Sequence, residues 1–117
     1  MFPLLMTASV NPRGMKRLSV NDIAEREQQY LGTLQFYLRN ESISAIVFIE
    51  NSGHDLAVFR ALSAKYPQKR VEFISCDLNG YPREYGKSYG ELLTLDYACY
   101  HSTLVKEAVG YFKVTGR

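Results

Sequence analysis

The residues best suited to chemistry lie at positions 85–91, whose sequence is YGKSYGE. Two glycines flank Lys87 and Ser88, between an apolar run that ends at Asp77 and an amphipathic run that begins near Leu92. A lysine in a glycine-containing connection from a strand to a helix can contact a phosphate, because backbone N–H groups and an ammonium both attract anions. The segment therefore predicts a flexible loop between a strand and a helix that can receive a phosphate, with Lys87 as the cation.

A phosphate-loop NTPase is the first class to compare with this segment. Five residues separate Gly80 from the Gly86-Lys87-Ser88 run, which is one residue more than the phosphate loop allows. The extra residue disrupts the wrap of successive N–H groups around a phosphate. Glu50, at the end of another apolar run, only imitates the magnesium-binding aspartate of that class. The spacing therefore disfavours it.

Three other patterns are incomplete. The dinucleotide fingerprint would follow the first strand, but residues 9–14 contain a single glycine. Ser52, His54 and Asp55 contain the residue types of a hydrolase triad, but the Gly-x-Ser-x-Gly elbow is absent and such close neighbours seldom face one another. A receiver-like or flavodoxin-like domain is disfavoured because the first strand has Thr7 and Ser9 where a receiver needs an acidic pair.

The composition is that of one globular domain. The chain has 117 residues, of which 46% are hydrophobic, and a net charge of +2 that is too weak to indicate nucleic-acid binding. Cys76 and Cys99 match no metal-binding spacing, so we expect reduced core thiols. No apolar run is long enough to cross a membrane, and the apolar start contains Pro3 without a basic leader. We therefore expect no transmembrane segment, no signal peptide and a cytoplasmic location.

Strands and helices are predicted to alternate along the whole chain. The predicted strands are 4–8, 45–50, 71–77 and 111–117. A first helix runs from a cap at Ser19 or Asn21 to Arg39, and a second begins at Asp55 and stops at Pro67. After a loop over 78–90, a third helix over 91–102 places Leu92, Leu95 and Cys99 on one face, with a further turn from Thr103.

This alternation predicts an α/β fold: a three-layer, Rossmann-like, mostly parallel sheet with helices on both faces. In such sheets ligands bind outside the carboxyl ends of the strands, near the point where the strand order reverses. All four predicted carboxyl ends carry polar groups, at residues 7–9, 50–52, 77 and 115–117. A sheet of four strands also leaves an open edge, through which we expect pairing with further protein or with a second copy.

Taken in order, several segments resemble bacterial GT-A-type glycosyltransferases of capsule and lipopolysaccharide synthesis. Three patterns carry the resemblance as a set: Glu-Asn-Ser after a strand, Lys-x-x-Gly-Glu before a helix, and Lys-Val-Thr-Gly-Arg at a strand end. The matching segments are MTASVNP at 6–12, Arg26 and Tyr30, IVFIENS at 46–52, EFIS at 72–75, GKSYGE at 86–91 and YFKVTGR at 111–117.

The resemblance implies that residues 1–117 form one nucleotide-sugar-binding domain, about half of an enzyme whose second half binds a glycan acceptor. The alternatives for this length are a truncated enzyme, a remnant or a small free-standing relative. It implies a base and ribose pocket lined by Thr7, Ser9 and Asn11 and closed by Glu50, Asn51 and Ser52. It further implies that Lys87 contacts the diphosphate and that Gly90 permits close backbone approach.

The strand end at 115–117 lacks the Asp-x-Asp motif that binds a divalent metal in many GT-A enzymes. Magnesium or manganese therefore stays an open expectation, and Arg117 is the alternative group to offset diphosphate charge. The sequence nominates no catalytic base. The alternative to an enzyme is a non-catalytic nucleotide-binding or protein-interaction module with the same fold.

Overall fold

A sheet of four parallel strands organises the chain in the computed structural model, which describes residues 2–11, 20–78 and 83–116. The strands are β1 (Leu4–Ala8), β2 (Ala45–Glu50), β3 (Arg70–Ser75) and β4 (Phe112–Thr115). The helices are α1 (Val20–Arg39), α2 (Ala57–Ser63), α3 (Gly86–His101) and α4 (Thr103–Glu107), with a 3-10 turn at Arg83–Tyr85 before α3. The predicted α/β fold with alternating helices and a parallel, Rossmann-like sheet is confirmed.

The strand order is β3-β2-β1-β4, and all three pairs of neighbours are parallel. Residues 46–49 of β2 are fully buried, as expected for a β-branched and aromatic strand covered on both faces. The chain proceeds outward from β1 to β2 and β3, then returns to the other side of β1 to form β4. The strand order therefore reverses between β1 and β4, where Thr7 pairs in register with Thr115.

One face of the sheet is covered by α1 and α2. Tyr30, Leu34 and Leu38 recur every four residues along α1, so they form one buried stripe against the strands. Phe59 of α2 packs on Phe48 of β2 with ring centroids 4.7 Å apart. The fully buried strand residues on this face are Met6, Ile46 and Phe48.

The opposite face is covered by α3 and α4, which pack on Leu5, Val47 and Ile49. The buried stripe of α3 consists of Gly90, Thr94 and Ala98, so small side chains face the sheet. The predicted inward face of this helix is therefore wrong at two of its three positions. Leu92 is 64% exposed and Cys99 is also exposed, and only Leu95 packs against the core.

The segment 85–91 is not the predicted loop, because α3 begins at Gly86 and not at Glu91. Gly86 has φ of 81°, a left-handed conformation that suits glycine and turns the chain from the 3-10 turn into the helix. Ser19 and the side chain of Asn21, the predicted caps of α1, lie outside the described residues. Asp55 accepts a hydrogen bond from the Ala57 N–H at 3.1 Å, as a residue preceding a helix can.

Strand β4 is an edge strand of the sheet that the described residues form. Its Phe112 is 62% exposed and packs beside Phe2, with ring centroids 5.6 Å apart. Pairing of this edge with a second copy stays a prediction. Among the described helices, none is both long enough and apolar enough to cross a bilayer.

Gly116 lies where β4 ends and closely approaches α1. A Cβ atom at this position would lie 2.5 Å from Tyr30 Cδ1 and 2.8 Å from Met6 Cε, which are separations that normal packing does not allow. Gly32 offers a matched comparison, because a Cβ there meets nothing within 4 Å. The close contact between Tyr30 and the end of β4 therefore depends on glycine at position 116.

We expect Gly116→Ala to lower the free energy of unfolding by about 1–3 kcal/mol, because the added methyl group overpacks the site. Gly32→Ala should raise it by about 0.5–1 kcal/mol, because alanine restricts the unfolded chain and favours the helix. Urea denaturation of both variants measures the two effects. Equal effects of the two substitutions would contradict the close packing at Gly116.

Candidate functional site

Backbone hydrogen bonds continue past the carboxyl ends of the four strands and hold the residues that follow them side by side. The N–H of Asn51 donates to Ala8 O at 2.9 Å, that of Cys76 to Glu50 O at 3.0 Å, and that of Gly116 to Thr7 O at 2.9 Å. The loops after β2 and β3 also pair, through Gly53 N to Cys76 O at 2.9 Å. The predicted polar ends therefore share one edge of the sheet.

The carboxylate of Glu50 joins the loops that follow β1 and β2. It is fully buried. Its Oε2 accepts from the Val10 N–H and the Ser52 hydroxyl, both at 2.7 Å. Its Oε1 accepts from the Ser52 N–H at 2.8 Å and the His54 N–H at 3.0 Å. Four donors therefore satisfy this carboxylate within the protein and offset the cost of burying it.

Ser52 and Asn11 form a second link between the same two loops. The N–H of Asn11 donates to Ser52 Oγ at 3.0 Å, while that hydroxyl donates to Glu50. The structure thus brings together three residues that the sequence placed in one pocket. These three residues hydrogen-bond to one another and, through Glu50, to the N–H groups of Val10 and His54, so they shape the loops that border the edge.

Ser9 is held by two side chains of α1. Its N–H donates to the Tyr30 hydroxyl at 3.0 Å. Its carbonyl accepts from Arg26 Nε at 3.1 Å and from Arg26 Nη2 at 2.6 Å. A bidentate guanidinium and a buried phenol therefore fix the backbone of the first residue after β1.

Asn51 anchors α3 to the end of β2. Its Nδ2 donates to Thr94 Oγ1 at 2.8 Å, and that hydroxyl donates to Gly90 O at 2.9 Å. Thr94 is fully buried, and Gly90 is buried beside it. The first turns of α3, which contain Lys87, are therefore tied to the carboxyl edge by a buried polar chain.

Four polar residues lie together where the strand order reverses, and we call Thr7, Glu91, Lys113 and Thr115 the switch-point cluster. Glu91 Oε1 accepts from Lys113 Nζ at 2.7 Å and from the Thr7 hydroxyl at 3.3 Å. Lys113 Nζ also contacts Thr115 Oγ1 at 3.1 Å. The side chains of Lys113 and Glu91 are 31% and 35% exposed, so solvent reaches this ion pair.

His54 connects the loop after β2 to α1. Its Nε2 lies 2.6 Å from Glu27 Oε2, with both side chains partly exposed. The pair replaces a hydrolase arrangement, because His54 faces α1 and its backbone N–H faces Glu50.

The thiol of Cys76 lies at the same edge, directly after β3. Burial raises the pKa of Cys76 to about 11, and the nearby carboxylates of Glu50 and Asp77 add to the shift. Its Sγ contacts the carbonyl of Glu50 at 3.7 Å. The predicted core position holds in part for this half-buried thiol and is wrong for Cys99, which is exposed.

Two predicted site residues belong in whole or in part to the segments outside the described residues. Arg117 lies outside the described residues, and Lys87 is described only by its helical backbone. Gly80 of the phosphate-loop comparison also lies outside them. In the described part of the chain, no group of three or more His, Cys, Asp and Glu side chains could hold a metal ion.

The sequence only partly indicated the other residues that make contacts at the carboxyl edge. Arg26, Tyr30, Lys113 and Thr115 fell within the segments of the glycosyltransferase resemblance, but only their tertiary contacts reveal what they hold. Glu91 lies in the segment GKSYGE of the same resemblance and at the predicted start of the third helix. Thr94 had no signal, because one threonine on an otherwise ordinary helix is indistinguishable from a surface residue.

Comparison with known proteins identifies no relative: no family model, no curated protein and no solved structure matches this chain.

We expect Glu50→Gln to lower the free energy of unfolding by about 2–3 kcal/mol, because the amide NH₂ cannot accept the hydrogen bonds that one carboxylate oxygen accepts. Chemical denaturation measures the loss, with Glu41→Gln at an exposed position as the matched control. Hydrogen exchange at the amides of Val10, Ser52 and His54 should accelerate selectively in Glu50→Gln. Unchanged exchange at these amides would contradict the proposed role of the carboxylate.

We expect Cys76 to react with iodoacetamide at least about tenfold more slowly than Cys99 at pH 8, because the thiolate is the nucleophile and a raised pKa keeps Cys76 protonated. The Cys99→Ser and Cys76→Ser variants each leave a single thiol for the measurement. The rate at Cys76 should climb as the pH rises towards about 11.

The same two variants in concentrated urea are the control for this measurement, since unfolding exposes both thiols and should bring their rates together. If native Cys76 reacted as fast as native Cys99, the burial of the thiol would be contradicted.

Proposed function

We propose that this chain is the nucleotide-sugar-binding part of a glycosyltransferase that acts in cell-surface polysaccharide synthesis. The observation that carries the proposal is the switch-point cluster, in which the partly exposed Lys113 and Glu91 and the exposed Thr115 meet the buried Thr7 at the reversal of strand order in a parallel sheet. Sheets of this kind bind ligands outside the carboxyl ends of their strands at that reversal. The ordered resemblance to GT-A enzymes supplies the ligand class.

The charges of the cluster suit the chemistry of glycosyl transfer. Breaking the bond between a sugar and a nucleoside diphosphate develops negative charge on the leaving phosphate, and a positioned cation stabilises that charge. Lys113 is held at the edge by Glu91 and Thr115. In the proposed reaction the donor is a nucleotide-sugar and the acceptor is a glycan hydroxyl, whose deprotonation needs a base that these residues do not nominate.

A metal ion has a limited place in this proposal. Within the described residues, the switch-point cluster offers one carboxylate, Glu91, and that carboxylate already pairs with Lys113. Magnesium and manganese prefer several oxygen ligands. We therefore assign the charge of the diphosphate to cationic side chains, and we include manganese in the binding experiment as a variable.

The second candidate is a non-catalytic nucleotide-binding or protein-interaction module. The hydrogen bonds that Glu50 and Ser52 make within the loops favour this candidate, because side chains that bond to the protein in this way support the edge and do not contact a substrate. A glycosyltransferase and a nucleotide-binding module both predict that a nucleotide binds at the carboxyl edge, whereas a protein-interaction module does not. Only the glycosyltransferase predicts that the sugar–phosphate bond of the donor is broken.

The proposal is tested by titrating the protein with UDP, GDP and CMP, and with their sugar conjugates, with and without manganese. We expect one base to bind at concentrations near or below about 1 mM, and amide NMR shifts to change at residues 8–11, 50–53, 76–78 and 115–116. The internal control is residues 43–45 and 69–70, at the amino ends of β2 and β3, whose amide signals should not shift.

Binding of no nucleotide under these conditions would overturn the proposed function. Shifts confined to residues 43–45 and 69–70 would also overturn it, because the ligand would then lie away from the strand reversal. Among the predicted contacts, Lys87→Ala should weaken the nucleoside diphosphate more than the nucleoside. Equal losses would place Lys87 away from the phosphates.

A further inference from the structure

Lys113 was not assigned a ligand by the sequence, which placed the diphosphate near Lys87 and Arg117. Its backbone lies two residues before Thr115 on β4, in register with Leu5 of β1. The side chain extends towards the carboxyl edge, because Nζ contacts the hydroxyl of Thr115 at 3.1 Å. The ammonium therefore lies at the strand reversal although its backbone lies inside the strand.

The counter-ion of Lys113 comes from a different element. Glu91 reaches from α3 and accepts from both Lys113 Nζ and the Thr7 hydroxyl on the same oxygen, Oε1. The carboxylate thus occupies the point on which an ammonium and a hydroxyl from two neighbouring strands converge. Two convergent donors on one acceptor oxygen are the arrangement that also binds a phosphate oxygen.

The ion pair between Glu91 and Lys113 is exchangeable. With about a third of each side chain exposed, water screens their attraction, and such pairs contribute little to stability. A phosphate carries more charge than a carboxylate and can accept from several donors at once. An anion that enters from the carboxyl edge can therefore replace Glu91 on Lys113 at small cost.

We propose that Lys113, with the hydroxyls of Thr7 and Thr115, is a binding subsite for the phosphate groups of a nucleoside diphosphate, and that Glu91 occupies this subsite in the ligand-free protein. This inference rests on the proposed function for the identity of the nucleoside, while the anion subsite itself rests on the four side chains. Glu91 lowers the affinity for the anion by competing with it. Its carboxylate also keeps Lys113 directed at the edge when no ligand is bound.

In the experiment, inorganic pyrophosphate, UDP and uridine are titrated into the wild-type protein and three variants, and calorimetry measures each affinity. Lys113→Met keeps most of the apolar stem and removes the charge, and it should weaken pyrophosphate and UDP binding about tenfold or more while leaving uridine unchanged. Lys106→Met is the matched control, because it removes the same charge from an exposed position on α4. It should change all three affinities less than about twofold.

Glu91→Gln tests the competition directly and does not depend on the folding of Lys113→Met. It removes the negative charge and should strengthen pyrophosphate binding by about two- to fivefold. Weaker pyrophosphate binding by Glu91→Gln would overturn the proposal. Absence of pyrophosphate binding to the wild-type protein would also overturn it, as would equal losses in Lys113→Met and Lys106→Met.

The outcomes separate this inference from the proposed function. If UDP binds and Lys113→Met binds it equally well, the nucleotide function stands and the Lys113 subsite is wrong. If pyrophosphate binds through Lys113 but no nucleotide binds better than pyrophosphate, the anion subsite stands and the nucleotide function is wrong.

Discussion

The carboxylate of Glu50 is the interaction on which the carboxyl edge of this protein depends. A fully buried charge is costly unless hydrogen bonds satisfy it. Here Oε2 accepts from both the loop after β1 and the loop after β2, and Oε1 accepts twice from the loop after β2. Neither loop has regular structure of its own at these positions. Their relative position therefore depends on the side chain of Glu50, which both loops surround, and on the hydrogen bond from the Asn11 N–H to Ser52.

The other polar contacts of the edge extend this arrangement in two directions. On one side of the sheet, Arg26 and Tyr30 hold the backbone of Ser9 against α1. On the other side, Asn51 and Thr94 tie α3 to the end of β2. Both layers of helices are thus joined to the same edge by hydrogen bonds, while apolar packing joins them to the faces of the sheet. The switch-point cluster lies among these fixed elements, with the side chains of Lys113 and Glu91 partly exposed to solvent.

Most of the fold could be predicted from local pattern. Strand β1 and strand β2 were located to the residue, because each is a short apolar run bounded by polar or turn-forming residues. The start of α3 was missed by five residues, because two glycines within 85–91 indicate a loop by composition, although Gly86 in fact turns the chain into the helix. The predicted inward face of α3 is also wrong at Leu92 and Cys99, which are exposed, because the buried stripe consists of Gly90, Thr94 and Ala98, beside which only Leu95 of the expected residues packs against the core.

The sequence by itself determined the class of fold and the edge at which polar groups collect. Apolar periodicity decides which segments become strands and helices, and parallel strands necessarily bring their carboxyl ends to one side. Only the tertiary structure decided which polar groups are occupied by the protein and which are accessible. Glu50 and Lys113 both appear in the sequence as charged residues beside apolar ones, yet the first is enclosed by backbone N–H groups and the second meets solvent and Glu91. Glu50 receives three of its hydrogen bonds from Ser52 and His54, close by in sequence, but the bond from Val10 and the contacts of Glu91 with Lys113 and Thr7 join residues far apart in the chain, which no local pattern encodes.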